Sequence, residues 1–239
     1  MSLFSKQLAQ TSEFLSEKRE GVRVREYQAQ DAPDWPYESS LILEDQTALE
    51  LGNPSQGSML LIMWSEQKDA VRDDLITLIG PEMSELGGGS APLGLVLLVS
   101  GSFGDEYETY RMLKDAVYDI QLEGLMIRAV ASRQTIWCRV NREALDKGLS
   151  LNVLGAELIW QLKQLDNVTA AEAIIVTSGK EDLERLKAPA YEAGRIIGAM
   201  MKMNEEMDFD CDTCDYREVC YGIEELKRIR RRLQGEQTG

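Results

Sequence analysis

After Pro92 the chain reads Leu93-Gly94-Leu95-Val96-Leu97-Leu98-Val99, without one polar side chain, before Ser100 and Gly101. A run this short is far below the ~18 residues that span a bilayer. Its branched residues and its Pro and Gly boundaries mark a strand that is apolar on both faces. Such a strand is stable only inside a sheet covered on both sides. The rest of the chain is therefore expected to supply neighbouring strands and the helices that cover them.

The periodicity supplies both. Residues 3–19 read as an amphipathic helix, with Leu3, Phe4, Leu8, Phe14 and Leu15 apolar. Val22 to Tyr27 alternates as a strand, and the prolines of 31–37 make a loop. Leu41 to Leu51 reads as strand material ending in the turn Gly52-Asn53-Pro54. Ser58 to Trp64 and Asp74 to Ile79 are buried strands, and Gly87-Gly88-Gly89-Ser90 is a flexible link. A helix is predicted over Asp105–Leu122, and one or two strands over Met126–Val140. A short helix begins at Asn141 and stops near Gly148. Asn152 is expected to cap a helix over Val153–Leu165. Ala173–Thr177 is a strand, and Ser178 caps a helix from Lys180 that Pro189 should kink or split before it resumes toward Met207. A final helix spans Tyr221–Leu233. Strands alternate with helices, so the expected class is α/β (or α+β) with a mainly buried sheet and flanking helices. The expected divisions are a lead-in at 1–40, a central domain at 41–207 and a cysteine-bearing segment at 208–239.

The chemistry is bounded by composition. The 239 residues carry 26 basic and 41 acidic side chains, a net charge of −15, which disfavours nucleic acid as a partner. The basic run Lys227 to Arg232 reads as the solvated face of the last helix. Without an apolar leader or spanning segment the expectation is a cytoplasmic protein, not one in a membrane. There is no histidine, which excludes Ser-His-Asp and Cys-His catalysis and imidazole metal ligands. The strand-to-helix turn Ser100 to Gly104 is either an anion-binding turn or a plain connection. Met200, Met201, Met203 and Met207 read as packing residues.

Three of the four cysteines, Cys211, Cys214 and Cys220, stand in a C-x2-C-x5-C arrangement among Asp208, Asp210, Asp212, Asp215 and Glu218. A tight turn can aim the first two sulfurs at one centre, and the third arrives on the next turn of chain. Thiolates suit iron–sulfur clusters and zinc; the lack of histidine and of paired cysteine knuckles favours a [4Fe–4S] cluster, with zinc as the alternative. The fourth cysteine, Cys138, lies on the expected strand Ile136 to Val140. It is either a small buried side chain or a distant fourth thiolate. If it is not a ligand, a carboxylate such as Asp215, a second protomer or an external donor completes the site.

Several segments from Leu41 to Cys220 together resemble the CO-methylating acetyl-CoA synthase, the beta subunit of the carbon monoxide dehydrogenase/acetyl-CoA synthase complex. The matching pieces are Leu49-Glu50-Leu51-Gly52-Asn53-Pro54, Ile79-Gly80-Pro81-Glu82, Ala91 to Leu97, Glu123-Gly124-Leu125 and Ile136-Trp137-Cys138-Arg139-Val140-Asn141-Arg142-Glu143-Ala144-Leu145. They occur in the family's order. The resemblance implies an α/β central domain leading into a metal-bearing domain, with Cys211, Cys214 and Cys220 where the family's cluster cysteines begin. The spacing between the second and third cysteines is shorter than the family's, and no fourth follows. No Cys-Gly-Cys nickel motif occurs in these residues, so the nickel chemistry is not expected here. Cys-x2-Cys-x-Tyr-x3-Cys with one distant upstream cysteine also resembles the iron–sulfur staple of nucleases of the RecB type, which would make Cys138 the fourth ligand.

Arg128, Arg133, Arg139 and Arg142 surround Trp137. Arg133, Trp137 and Arg139 share strand parity, so one face could present two guanidiniums and an indole. That face is suited either to CoA, through phosphate and adenine, or to salt bridges with the many carboxylates. The expected function is an iron–sulfur protein of CO and one-carbon metabolism in an accessory, electron-transfer or assembly role. Its expected partners are a carbon monoxide dehydrogenase or corrinoid subunit. The alternatives are a scaffold with a structural metal and an enzyme acting on a CoA thioester.

Overall fold

A computed structural model describes residues 3–17, 21–205 and 214–236. Among the described residues, nine strands form two sheets. The strands are β1 (Val24–Gln28), β2 (Thr47–Leu51), β3 (Ser58–Ser65), β4 (Leu75–Ile79), β5 (Gly89–Ala91), β6 (Leu93–Gly101), β7 (Leu125–Val130), β8 (Thr135–Asn141) and β9 (Val168–Val176). The larger sheet has the order β1-β4-β9-β6-β3. Its β1–β4 and β9–β6 pairs are antiparallel, and its β4–β9 and β6–β3 pairs are parallel. The smaller sheet has the order β5-β2-β8-β7. The class is mixed α/β, and β6, the strand of the Leu93 run, lies inside the larger sheet with both faces buried.

Among the described residues, seven helices accompany the sheets: α1 (Ser5–Ser16), α2 (Glu106–Tyr118), α3 (Arg142–Lys147), α4 (Leu151–Lys163), α5 (Lys180–Glu205), α6 (Arg217–Gly222) and α7 (Glu224–Glu236). Helix α4 packs on β9 and β4, α5 on β3, α1 on α5, and α2 on α4 and α5. Phe4 meets Trp64 of β3 edge-on at 4.7 Å, and Trp64 stacks near Tyr110 of α2 at 6.4 Å. One buried apolar cluster runs from Leu3 to Ile229 and includes Cys220 and Leu226.

The local signals act where their physics is self-contained. The Asp105 carboxylate accepts from the Tyr107 and Glu108 N–H groups at the start of α2. Asn141 caps α3, and Gly148 ends it with a φ of 99°. Elsewhere the structure departs from expectation. Ser150, not Asn152, caps α4, which starts earlier because Leu151 and Val153 are both buried. The Gly87–Ser90 link contributes to a short strand, β5, because the backbone of β2 pairs with it in parallel. Pro189 does not split α5: burial of Leu186, Ala190, Ala193, Ile196 and Met200 outweighs one missing backbone bond. Ser178 donates its hydroxyl to Asp182 at the start of that helix. The C-terminal helix is two helices, α6 and α7, joined at an extended Ile223. Arg133 lies in a 3-10 turn, not on β8, so it does not share the strand parity of Trp137 and Arg139.

The two sheets meet at Gly52. Its φ is 73°, and a Cβ there would lie 2.3 Å from the Ile136 carbonyl oxygen. Gly52→Ala is therefore expected to lower the unfolding free energy by about 2 kcal/mol or more, read by urea denaturation, while the surface change Gln56→Ala leaves it within about 0.5 kcal/mol.

Candidate functional site

The cysteine segment is seated on α5. Gly198 lets that helix approach Tyr216 so closely that a Cβ would fall 2.7 Å from the phenol oxygen and 2.9 Å from two ring carbons. Arg195, one turn earlier on α5, donates to the Asp215 carbonyl at 2.9 Å. Around these anchors the chain turns and enters α6: the Arg217 N–H donates to the Cys214 carbonyl at 3.1 Å, and the Cys220 N–H makes the first bond of the helix, to the Tyr216 carbonyl at 3.0 Å. Cys214 is half-buried, Cys220 is buried, and neither is in a disulfide. Cys211 and Met207 lie outside the described residues; Met200 and Met203 are buried in α5 as packing residues. Asp215 and Glu218 are exposed beside the turn.

Cys138 sits in the middle of β8, opposite Leu51 of β2 and Ile127 of β7. Its side chain is fully enclosed, and burial pushes its thiol from an ordinary 9.0 up to about 12. Among the described residues, no three His, Cys, Asp or Glu side chains gather into a metal-binding group, so Cys138, Cys214 and Cys220 are not brought together.

Trp137 and Arg139 do come together on the open face of β8, with the guanidinium 4.8 Å from the indole centre. A residue that the sequence reading did not single out controls them. Glu50, from β2, accepts from Trp137 Nε1 at 2.9 Å and from Arg139 Nε at 3.2 Å. Its other oxygen accepts from Asn53 at 2.8 Å. Asn53 first, then Trp137 and Arg139, hold the Glu50 carboxyl below its ordinary value. The cation that a phosphate would need is already neutralised, as the salt-bridge reading expects. Exposed Arg133 stands apart on its turn. The only sequence signal for Glu50 was its place in the Leu49–Pro54 segment.

The other open readings close in the same direction. The N-terminus of α2, after the Ser100–Gly104 turn, is occupied by Asp105, which also pairs with Arg232 at 2.6 Å. Of the basic run, Lys227 pairs with Glu224 and Arg230 lies 4.7 Å from the Tyr221 ring centre. No described helix is long and apolar enough to cross a membrane.

Fold and site together define a mixed α/β protein whose longest helix carries a cysteine-bearing C-terminal segment. Residues 34–182 match the family described as the CO dehydrogenase/acetyl-CoA synthase complex beta subunit, and the chain belongs to that family. It is 29% identical over 211 residues to the acetyl-CoA decarbonylase/synthase complex subunit beta of Archaeoglobus fulgidus, covering 82% of this chain and 39% of that protein. It is 24% identical over 195 residues to subunit beta 1 of Methanosarcina thermophila, covering 76% and 40%. With subunit beta 1 of Methanocaldococcus jannaschii it shares 30% over 150 residues, covering 59% and 20%. The chain thus spans about two fifths of the length of the first two relatives. The family match ends at Asp182, before the cysteine segment.

Two outcomes follow from this geometry. Gly198→Ala must displace the Tyr216 ring, at an expected cost of about 1–3 kcal/mol, and should speed alkylation of Cys214 and Cys220 by a maleimide several-fold. Unchanged rates would mean that the contact does not hold the turn. Cys138 should resist the same reagent in the folded protein. Because its folded pKa is raised, its contribution to stability is complete below the unfolded thiol value and is lost as pH rises from about 9 toward about 12. Cys138→Ala should flatten that alkaline decline in a pH series of thermal melts.

Proposed function

We propose that this chain is an iron–sulfur member of its family, in which Cys211, Cys214 and Cys220 hold a [4Fe–4S] cluster. Its role would be accessory, in electron transfer or assembly around CO and one-carbon chemistry. One observation carries the reading. Cys214 opens a turn seated on α5, Cys220 follows in helix α6, both are free thiols, and Cys211, the first cysteine of the C-x2-C-x5-C run, precedes Cys214 by three residues. That donor set fits an iron–sulfur cluster, since soft thiolates match iron and sulfide and no imidazole is available for a mixed zinc site. When bound, the cluster supplies one-electron chemistry. The chain's own residues position it: Gly198 and Arg195 fix the turn, and Tyr216 closes its side against α5.

Cys138 is assigned to packing in this reading, because it is enclosed between β2 and β7 and is not gathered with Cys214 and Cys220. The fourth position is left to an external or partner donor. The matched relatives are named as subunits of a complex. We infer the same kind of setting here, with a carbon monoxide dehydrogenase or corrinoid subunit as the partner. The CoA-thioester reading is disfavoured because Glu50 already neutralises Arg139.

Protein purified without oxygen, or reconstituted with ferrous iron and sulfide, is expected to carry iron and acid-labile sulfide and to absorb near ~400 nm. Cys211→Ala, Cys214→Ala and Cys220→Ala should each lose most of the iron, and Cys138→Ala should retain it. Stoichiometric zinc without iron would contradict the assignment. The 239 residues contain no Cys-Gly-Cys pair, so the chain alone is expected not to form acetyl-CoA from CO, CoA and a methylcorrinoid. Sustained product formation in that assay would overturn the accessory role.

A further inference from the structure

A second site lies apart from α5, α6 and α7. A groove of about 810 Å³ opens between the 29–37 segment and helix α4. Trp35 forms one wall, fixed by its indole N–H donating to the Glu123 carbonyl at 2.9 Å. Tyr37 and Trp160 stand at the rim, 61% and 53% exposed. Here two exposed aromatics and Trp35 line one groove, and Trp and Tyr are the residues that dominate binding hot spots. Helix α4 is held in the core by Leu151, Leu154, Leu158 and Leu162, while Trp160 projects from it half-exposed. Trp160 therefore contributes little to folding.

The charge of the groove says what covers it. Asp34 and Glu157 line it, and no lysine or arginine among the described residues does. Among the described residues neither carboxylate is in an ion pair; Glu157 accepts only from Gln161, at 2.9 Å. An exposed indole beside an unneutralised carboxylate matches a guanidinium or ammonium group, whose stem lies on the ring while its head meets the acid. The surrounding field, from a net charge of −15, draws basic partners in and opposes a second copy of the same chain.

We propose that this groove receives a basic segment of a partner protein, with an Arg or Lys side chain laid against Trp160 and its charge against Glu157 or Asp34. The proposal stands independently of the cluster, because none of its residues belongs to the cysteine segment.

The test uses the full chain and two fluorescein-labelled short peptides. One alternates arginine with leucine; the other has glutamate in place of each arginine. Binding is read by anisotropy at physiological salt, with thermal melts confirming that each variant folds. The wild-type protein should bind the basic peptide and not the acidic one. Trp160→Ala leaves the net charge unchanged, so diffuse attraction to an acidic surface survives it. A loss of at least about tenfold in affinity on that change would place the peptide in the groove. Glu157→Gln should cost about threefold or more. Equal affinity of wild type and Trp160→Ala for the basic peptide would overturn the proposal, as would equal binding of both peptides. Self-association of the wild type in sedimentation, abolished by Trp160→Ala, would also overturn it by making a second copy the occupant.

Discussion

The structure depends on how closely helix α5 can approach three different neighbours, and at each approach a glycine makes room. On the sheet, a Cβ at Gly94 of β6 would fall 2.5 Å from Leu183 of α5. On the helix, a Cβ at Gly194 would press within 2.7 Å of the Gln134 amide, and one at Gly198 would meet Tyr216. Gln134 sits in the left-handed region, with a φ of 52°, at the turn between β7 and β8. Its side chain donates to the Ala190 carbonyl, and its own carbonyl accepts from Leu60 of β3 at 2.8 Å. One helix thereby fixes the larger sheet, the turn of the smaller sheet and the cysteine segment relative to each other. Leu183 and Gln134 meet these glycines with the ends of flexible side chains, whereas the Tyr216 ring at Gly198 is rigid and can yield only by moving as a whole.

This arrangement explains why burial of Pro189 within α5 is tolerated. The helix is held along its length by the sheet, by α1 and by the C-terminal helices. A break would cost those contacts as well as one hydrogen bond. It also separates the roles of the cysteines. Cys214 lies half-buried at the turn before α6 and Cys220 is buried within α6, while Cys138 lies inside the smaller sheet where desolvation keeps its thiol protonated.

The legible parts of the fold were those whose cause lies within a few residues. The Leu93 run could only be a doubly covered strand, and it is one. Asp105, Asn141 and Gly148 cap the helices they adjoin because a cap needs only its own helix. What was not legible depends on distant partners. Gly89 to Ala91 becomes a strand only because β2 lies beside it, and Arg133 leaves the strand because Gln134 turns the chain. Trp137 and Arg139 were correctly placed on one face, but Glu50, 87 residues from Trp137 along the chain, decides what that face can bind. The spacing of Cys211, Cys214 and Cys220 pointed to a metal segment; the seat for that segment, built from Gly198 and Arg195, carries no local signature.

The central claim is that the cysteine turn is a cluster-binding segment whose seat is α5. Hydrogen exchange measured on the anaerobic protein before and after reconstitution with ferrous iron and sulfide tests it most directly. The account predicts slower exchange after reconstitution across 214–232, together with added protection of α5 around Gly194 to Gly198. Iron uptake with unchanged exchange in both stretches would contradict it, as would protection confined to the strands around Cys138.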